Sequence, residues 1–299
     1  MLNINKMSNM QIPFFSFVIA NYNYGDMLGA SIESILNQSN KDFEIIVVDG
    51  ASTDNSVEVI KKYEKKLSWW VSEKDTGQSN AFNKGFAQAN GKFITWLNAD
   101  DILLPGTVEA VKSKLLNNTD ADWATGNFLR FSVPNLKITE AAWGPHYLPN
   151  FLQGSKRVNA IFGPTTFWRK SVYDKIGGID ENLHYMMDVE YWARLSMLGY
   201  KQVRVNHYCW GFRMHENSKT AEFSEHEVSN ETKTKMDAER KYIYDKTGFK
   251  YSSFFRYLAL FFRIIDGSHI KAMWNKIFLV GSNIEDKFDI NLKIEADKS

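Results

Sequence analysis

Two clusters of carboxylate and amide side chains each follow a predicted strand. The first, Asn98–Asp101, comes directly after the apolar run Phe93–Leu97 and reads Asn-Ala-Asp-Asp. Successive side chains at a strand end point in different directions, so one carboxylate can ligate a divalent cation while the other orients a ligand hydroxyl. Hard oxygen ligands suit Mg²⁺ or Mn²⁺ bridging to phosphate oxygens. The alternative is a turn, because Asn and Asp are favoured in turns and at helix starts.

The second cluster, Asp49–Asp54, follows the apolar run Phe43–Val48. Its small residues allow a ligand to approach the backbone closely, and its carboxylate can accept a hydrogen bond from a base N–H or a ribose hydroxyl. The alternative is a helix N-cap combined with a turn. The segment has neither a GxGxxG fingerprint nor a Walker A lysine loop, so a dinucleotide or ATP site of those kinds is not indicated.

The two clusters can act together only if the elements around them form one sheet. Four apolar runs of strand length alternate with amphipathic helical segments, which predicts a parallel α/β sheet. In such sheets ligands bind outside the carboxyl ends of the strands, where both clusters lie. The predicted strands are Phe15–Ala20, Phe43–Val48, Trp69–Val71 and Phe93–Leu97.

The composition is that of an ordinary globular protein. The 299 residues are 44% hydrophobic and 24% charged, which excludes collagen-like, disordered and disulfide-scaffold classes. Lys and Arg number 36 against 35 Asp and Glu, so we expect no nucleic-acid partner. The single cysteine, Cys209, fits a reducing compartment, and we find no signal-peptide pattern or spanning apolar run. These features predict a cytoplasmic protein, with peripheral contact at the inner face of the membrane as the alternative.

The C-terminal part of the chain is predicted to form a helical appendage. It is polar from about Ser218 and apolar from Phe254. The segment Phe254–Ile265 is apolar almost all round. It can pack on the rest of the chain or on a second protomer. The other interpretation is docking at a membrane interface, which would suit a lipid-linked acceptor.

Taken together and in order, the motifs of this chain resemble those of glycosyltransferase family 2. The resemblance covers roughly residues 14 to 220 and includes a strand-end Asn-Ala-Asp-Asp and an Asp-Val-Glu at a helix start. The matching segments are Val18–Asn23, Ser31–Ser39, Asp42–Asp54, Glu73–Gln78, Asn83–Gly85, Trp96–Asp101, Gly163–Arg169 and Met187–Leu195.

The resemblance implies a GT-A fold, in which a Rossmann-like nucleotide-binding half and an acceptor-binding half share one mixed, mostly parallel sheet. We expect a catalytic domain over residues 1–220 and a C-terminal helical extension over 221–299. The implied activity is inverting, metal-dependent transfer from a nucleotide-sugar, first of all a UDP-sugar. The acceptor would be a hydroxyl of a glycan or lipid-linked glycan in cell-surface polysaccharide or glycoconjugate synthesis. The alternative is a non-catalytic nucleotide-sugar-binding scaffold with the same fold.

The same resemblance assigns roles to residues of the nucleotide half. Gly50 stands where many members carry a second Asp, which leaves Asp49 as the only carboxylate at that strand end. Asn98 replaces the first Asp of the D-x-D motif and keeps an oxygen ligand. The residues implied to contact the nucleotide are Tyr22, Asp49, Asp75, Asn83, Lys84 and Asp100.

Metal and catalytic roles follow in the same way. Asp100 and Asp101 match the metal and diphosphate position, and His215 matches a segment that often supplies a metal ligand; the cofactor would be Mg²⁺ or Mn²⁺. Asp188 matches the carboxylate that deprotonates the acceptor hydroxyl, although an Asp at a helix start can simply complement the helix dipole. Glu190 is the alternative base, but two residues along a helix the side chains point about 200° apart. Arg213 and Lys219 are available to neutralise phosphate charge.

Overall fold

The computed structural model describes residues 12–144, 163–216, 218, 229–248 and 253–292. The first part of the chain alternates strands and helices, and all four predicted strands are confirmed. The parallel strands lie in the order β3-β2-β1-β4. The elements are β1 (Phe15–Asn21), α1 (Gly25–Leu36), β2 (Phe43–Asp49), α2 (Ser56–Tyr63), β3 (Trp69–Ser72), α3 (Gln78–Gln88) and β4 (Phe93–Asn98).

The second half adds further strands to the same sheet. Its elements are β5 (Ile102–Leu103), α4 (Thr107–Leu116), β6 (Trp123–Ser132), β7 (Ile138–Ala142), β8 (Thr166–Arg169), α5 (Lys170–Ile176), α6 (Met187–Met197) and β9 (Gln202–Met214). β8 pairs antiparallel with β4 and so joins the two halves. Beyond that junction the pairings are mixed, with β6 parallel to β9 and antiparallel to β7 and β8. The mixed α/β sheet expected from the sequence is therefore confirmed.

The central strand β1 positions the polar edge of the sheet. It lies between β2 and β4, and six of its seven residues are buried. Alternate side chains enter opposite cores: Phe17 packs with residues of α1, and Val18 packs with residues of α3 and α6. The register pairs Asn21 with Asp49 and Ala20 with Asn98. Both polar clusters therefore end at the same edge, as the sequence predicts.

The C-terminal extension is helical, as expected, and its described helices are packed on the preceding domain. The helices are α7 (Asn230–Thr247), α8 (Ser253–Ile265), α9 (Ser268–Leu279) and α10 (Ile284–Phe288). Ile243 of α7 is buried in the same cluster as residues of α6, and Ile284 of α10 is buried with Ile138 of β7. None of the helices in the described part of the chain is long and apolar enough to cross a membrane. The boundary at residue 220 stays a prediction.

A pair of glycines in helix interiors tests the packing of α3 on the sheet. A Cβ at Gly85 would lie 2.2 Å from Val18 Cγ1, whereas at Gly29 of α1 the nearest atoms are 3.7 Å away or more. Alanine normally stabilises a helix interior by up to about 1 kcal/mol relative to glycine. We expect Gly29→Ala to raise the free energy of unfolding and Gly85→Ala to lower it by about 1–3 kcal/mol through overpacking. Urea unfolding measures both, and stabilisation by Gly85→Ala would contradict the close approach of α3 to β1.

Candidate active site

Asp49 is completely buried at the end of β2, and both of its oxygens are engaged within the protein. Oδ1 accepts hydrogen bonds from Asn21 Nδ2 at 2.7 Å and Ser52 Oγ at 2.5 Å. Oδ2 accepts from Ser72 Oγ at 2.6 Å and from the Ser52 backbone N–H at 3.1 Å. In this state the carboxylate ties three strand ends together, and its predicted contact with a base stays a prediction.

The far end of the same cluster caps two helices. Asp54 accepts hydrogen bonds from the backbone N–H of Gly25 at 2.9 Å and of Ser56 at 3.0 Å. These N–H groups belong to the first residues of α1 and α2, which have no partners within their own helices. Asp54 thus satisfies helix N-terminal N–H groups, as the alternative to a ligand site expects, although the N-cap position of α2 is Asn55, whose side chain makes no capping hydrogen bond.

Tyr22 and Asp75 meet at Gly50, beside this edge. The Tyr22 side chain is 59% exposed. A Cβ at Gly50 would lie 2.7 Å from Asp75 Oδ2 and 3.3 Å from Tyr22 Cδ2. The missing side chain thus leaves the space in which the carboxylate and the aromatic ring come together. An exposed ring beside a carboxylate is an arrangement that can stack on a base and accept from its N–H groups.

Asn83 and Lys84 are engaged on the other side of α3. The Asn83 amide donates to Ile179 O and Glu181 Oε1, both at 2.8 Å, and accepts from Tyr173 OH and the Ile179 N–H. Its two donors and two acceptor positions are therefore filled. The nucleotide contact predicted for Asn83 stays a prediction.

Lys84 fastens the segment that leads into α3. Its Nζ pairs with Glu73 at 2.7 Å and donates to the carbonyl of Lys74 at 3.0 Å. The ammonium group thus holds the residues just before Asp75. This is a positioning contact within the protein.

Asp100 and His215 form the centre of the site. His215 Nε2 lies 3.1 Å from Asp100 Oδ2, and both side chains are about nine-tenths buried. The ring of Tyr24 packs edge-on against His215 with centroids 5.5 Å apart. Burial, together with the charges of Asp100 and Asp101, raises the pKa of Tyr24 to about 12. Negative charge is thus concentrated beside a cavity of about 320 Å³ lined by Tyr22, Tyr24 and His215.

Asp101 differs from its neighbour because it is completely buried. Oδ2 accepts from Asn98 Nδ2 at 2.8 Å, and Oδ1 accepts from the backbone N–H of Arg213 at 3.0 Å. Burial and the charge of Asp100 raise the pKa of the Asp101 carboxyl well above its usual range. Asn98 in turn accepts from Gln78 Nε2 at 2.9 Å, so the amide predicted as an oxygen ligand links β4 to α3 and to Asp101.

These contacts decide which predicted metal ligands are at hand. The residues that the structure describes contain no cluster of three or more His, Cys, Asp and Glu side chains placed to hold a metal ion. The Asp100 carboxylate and the His215 imidazole nevertheless meet and fit as two ligands, since divalent ions at phosphate sites complete their shells with phosphate oxygens and water. Asp101 has both oxygens in internal hydrogen bonds, and its role as a direct ligand stays a prediction.

Buried positive charge lies next to these acids. Arg213 is 2% exposed, and its Nε and Nη2 find no hydrogen-bond partner among the described residues. Burial lowers the pKa of Arg213, and the charges of Asp101 and Asp100 oppose that shift. The second predicted cation, Lys219, lies outside the described residues.

Asp188 lies in a second, larger cleft of about 630 Å³. It is half-buried in the first turn of α6, and its Oδ1 accepts from the backbone N–H of Val189 at 2.7 Å. Asn98 and Gln78 line the same cleft, with Trp192 and Trp210. Asn98 thus lines the cleft that holds Asp188, and Asp100 pairs with His215, which lines the smaller cavity.

Glu190, the alternative base, is held inside the protein. It is completely buried and pairs with Arg194 Nη2 at 2.8 Å and with Lys246 Nζ at 3.0 Å. Its carboxylate is thus occupied by two cations. Of the two acidic residues at this helix start, only Asp188 lines the cleft.

Helix α7 contributes positioning residues that the sequence pattern did not reveal. The carboxylate of Glu239 accepts from three successive backbone N–H groups, those of His184, Tyr185 and Met186, at 2.8–3.2 Å. These groups lie at the start of α6, directly before Asp188. A glutamate in a polar helix carries no signal of this role, because its partners are more than fifty residues away.

Comparison with known proteins identifies the family of this chain. The sequence model described as "Glycosyl transferase family 2" matches residues 16–177, more than half of the chain. The chain belongs to glycosyltransferase family 2. The matched part runs from β1 to the end of α5 and contains the edge with Asp49 and Asp100. Asp188 and His215 lie beyond it.

Relatives and solved structures agree with the family. An uncharacterized glycosyltransferase of Methanocaldococcus jannaschii is 31% identical over 210 residues, which is 65% of this chain and 69% of the relative. Staphylococcus aureus TarS in complex with UDP-GlcNAc superposes with a TM-score of 0.55 at 18% identity, covering 69% of this chain and 60% of that one. The mannosyltransferase PcManGT of Pyrobaculum calidifontis, in complex with GDP-Man and Mn²⁺, gives 0.57 at 15%, covering 90% and 76%. At these identities the two structures establish the GT-A fold alone.

One ion pair of this family 2 glycosyltransferase predicts a pH dependence. Asp180, 6% exposed, accepts from Lys246 Nζ at 2.6 Å and Tyr242 OH at 2.8 Å. Burial raises its pKa, but hydrogen bonds from Lys246, Asn182 and Tyr242 outweigh this and lower the pKa to about 2. A lowered carboxylate pKa stabilises the fold above about pH 4, and the contribution is lost as the pH falls towards 2.

We therefore expect Asp180→Asn to lower the melting temperature at pH 7 and to lose most of that effect by about pH 2.5. Asp174→Asn is the control, because Asp174 is 54% exposed and its ion pair with Lys170 is on the surface. Equal destabilisation by Asp180→Asn at both pH values would show that the ion pair does not hold α7 against the loop before α6.

Proposed function

We propose that this protein transfers a sugar, with inversion, from a nucleotide-sugar to a hydroxyl of a glycan or lipid-linked acceptor. The observation that carries the proposal is the position of segment 98–101: its Asn98 lines one cavity together with Asp188, and its Asp100 pairs with His215, which lines the other. One cavity would take the nucleotide and the other the acceptor. The reaction would join them across the end of β4.

The donor end fits a nucleoside diphosphate. The exposed ring of Tyr22 and the carboxylate of Asp75 meet at Gly50 and would hold the base. Arg213 adds buried positive charge beside Asp100 and Asp101, which suits a diphosphate. We infer a UDP-sugar, since TarS, a structure of the same fold, holds UDP-GlcNAc. The transferred sugar would be a hexose or an N-acetylhexosamine.

Asp100 and His215 would hold the divalent cofactor, Mg²⁺ or Mn²⁺, with Asp101 behind them. PcManGT, which has the same fold, binds Mn²⁺ together with GDP-Man, and this supports a metal-assisted donor site. A divalent ion there would neutralise the leaving diphosphate. Asp101 would act from its buried position, fixing Asn98 and the backbone of Arg213 and thereby the direction in which Asp100 points.

Asp188 would act as the general base. An acceptor hydroxyl is a poor nucleophile, and its proton must leave as the bond to the sugar C1 forms. An ionised carboxylate accepts that proton late in the reaction, when the hydroxyl has become acidic. Inversion requires the base on the face opposite the leaving diphosphate. Asp188 would approach from that face, since it lines the same cleft as Asn98 of the segment 98–101.

The alternative is a scaffold of the same fold that binds nucleotide-sugars without transferring them. The joint presence of Asp100, Asp188 and His215 favours the enzyme, because a scaffold has no need of a base in the acceptor cleft. We place the enzyme in the cytoplasm, in the assembly of cell-surface polysaccharides or glycoconjugates. Homo-oligomerisation and peripheral membrane contact are the two associations proposed for the extension.

Metal-linked nucleotide binding is the first test. UDP at about 100 times its dissociation constant should stabilise the protein by about 2.7 kcal/mol in the presence of Mn²⁺ or Mg²⁺. Melting curves recorded with and without EDTA measure this linkage. We expect Asp100→Asn to abolish the metal-dependent part of the shift. Asp120→Asn should keep it, because Asp120 is an exposed residue paired with Lys201. A shift of the same size with EDTA present would remove the metal role of Asp100 and His215.

The second test separates the base from its neighbour. Asp188→Asn keeps the size of the side chain but removes its basicity, so transfer should fall roughly 10²–10⁴-fold while UDP affinity hardly changes. Glu190→Gln should lower thermal stability, because it leaves Arg194 without its buried counterion and Lys246 with Asp180 alone, and the folded protein should keep most of its turnover. Nucleotide release from a panel of donors measures the activity. If the two variants exchanged these phenotypes, Asp188 would not be the base.

A further inference from the structure

Helices α8 and α9 turn an apolar stripe towards solvent. In each helix the exposed side chains recur at positions i, i+3, i+4, i+7 and i+8, the spacing that normally faces a protein core. Their exposures range from 40% to 71%. We call these ten side chains the hairpin face: Tyr257, Leu260, Phe261, Ile264, Ile265, Ile270, Met273, Trp274, Ile277 and Phe278.

The charged residues in the sequence of the two helices are mostly basic. Between residues 253 and 279 the sequence contains four basic residues, Arg256, Arg263, Lys271 and Lys276, and one acid, Asp266, which lies in the link between the helices. Lys271 and Lys276 are exposed on α9, next in sequence to apolar residues of the hairpin face. An exposed apolar face with positive charge beside it is complementary to a surface that is apolar inside and anionic outside.

The lengths of the two helices determine how such a surface would be met. α8 has 13 residues and α9 has 12, whereas a helix needs about 20 apolar residues to cross a bilayer. Amphipathic helices of this kind lie in the plane of the interface with their apolar face among the acyl chains. Tyr257 and Trp274, both exposed, are the residue types that favour this depth.

The hairpin also forms a wall of the cleft that contains Asp188. Leu260 and Met273 of the hairpin face line that cleft, as do Arg263, His269 and Lys276. Arg263 Nε and His269 Nδ1 are buried without a hydrogen-bond partner among the described residues. On this side, the wall of the cleft therefore contains apolar side chains of the hairpin face. It also contains buried nitrogen atoms that have no hydrogen-bond partner among the described residues. This suits an acceptor with an apolar part outside and a polar part inside.

We propose that the hairpin face binds, in the plane of the interface, to a bilayer containing anionic lipids, and that the cleft receives an acceptor carried by a membrane lipid. The proposal rests on the transferase function above for the use of the acceptor, but not for the binding of the bilayer. Docking on α8 and α9 places the cleft at the level of the lipid headgroups. The hydroxyl of a lipid-anchored acceptor can then reach Asp188 without leaving the membrane.

Flotation of the full chain with lipid vesicles tests the docking. We expect co-flotation with vesicles containing phosphatidylglycerol and much weaker binding to pure phosphatidylcholine. Ile270→Glu combined with Ile277→Glu should abolish flotation. Leu116→Glu combined with Leu198→Glu is the matched control, because these leucines are 56% and 59% exposed on α4 and just after α6, and it should float like the parent. Lys271→Gln should weaken binding to anionic vesicles about fivefold.

Two further measurements distinguish membrane docking from donor binding and from self-association. UDP-induced stabilisation in solution reports the donor site, so a parent chain that is stabilised by UDP but does not float with anionic vesicles overturns the membrane proposal alone. Sedimentation velocity without vesicles tests self-association. A parent dimer that the Ile270→Glu/Ile277→Glu variant converts to monomer, with no vesicle binding by the parent, would assign the hairpin face to a second copy and overturn the proposal. Equal flotation of the Ile270→Glu/Ile277→Glu variant and the Leu116→Glu/Leu198→Glu control would also overturn the membrane proposal.

Discussion

Two carboxylates, Asp49 and Asp101, are completely buried at the carboxyl ends of the sheet, and the edge of the fold is organised around satisfying them. Moving an ion out of water costs several kcal/mol unless hydrogen bonds replace its hydration. Asn21 and Ser52 serve Asp49, and Asn98 serves Asp101. All three donors are supplied by strand ends or the loops beside them. A shift of one residue in strand register would leave a buried charge without partners.

The same constraint separates structural acids from acids that can meet a ligand. Asp49, Asp101 and Glu190 are each fully buried and fully occupied within the protein. Asp188 lines the larger cleft, and Asp100 pairs with the His215 imidazole, which lines the smaller cavity. The buried acids fix the backbone from which the accessible ones project. Chemistry at this edge therefore depends on residues that need never touch a substrate.

The features that could be predicted from the sequence are those that depend on neighbouring residues. The apolar runs gave all four strands of the nucleotide half, and their ends gave the polar edge, because buried parallel strands carry both signals in a few adjacent residues. The partners of Asn83 and the caps made by Glu239 could not be predicted in this way. Asn83 bonds to residues about 95 positions away, and Glu239 to residues more than 50 away. Only the folded chain brings such partners together, and no spacing in the sequence records them.

The acceptor side depends on helices that lie outside the family-matched residues 16–177. Glu239 of α7 holds the backbone that begins α6, while Lys246 from the same helix neutralises Glu190 within it. At the other end of the cleft, α9 packs on β7 and its Met273 forms part of the wall. The proposed donor edge, in contrast, is built mainly from the strands and the loops between them, with Gln78 of α3 bonded to Asn98. A change in α7 or α9 would thus reshape the acceptor cleft and move Asp188 without disturbing the buried carboxylates that organise the donor edge.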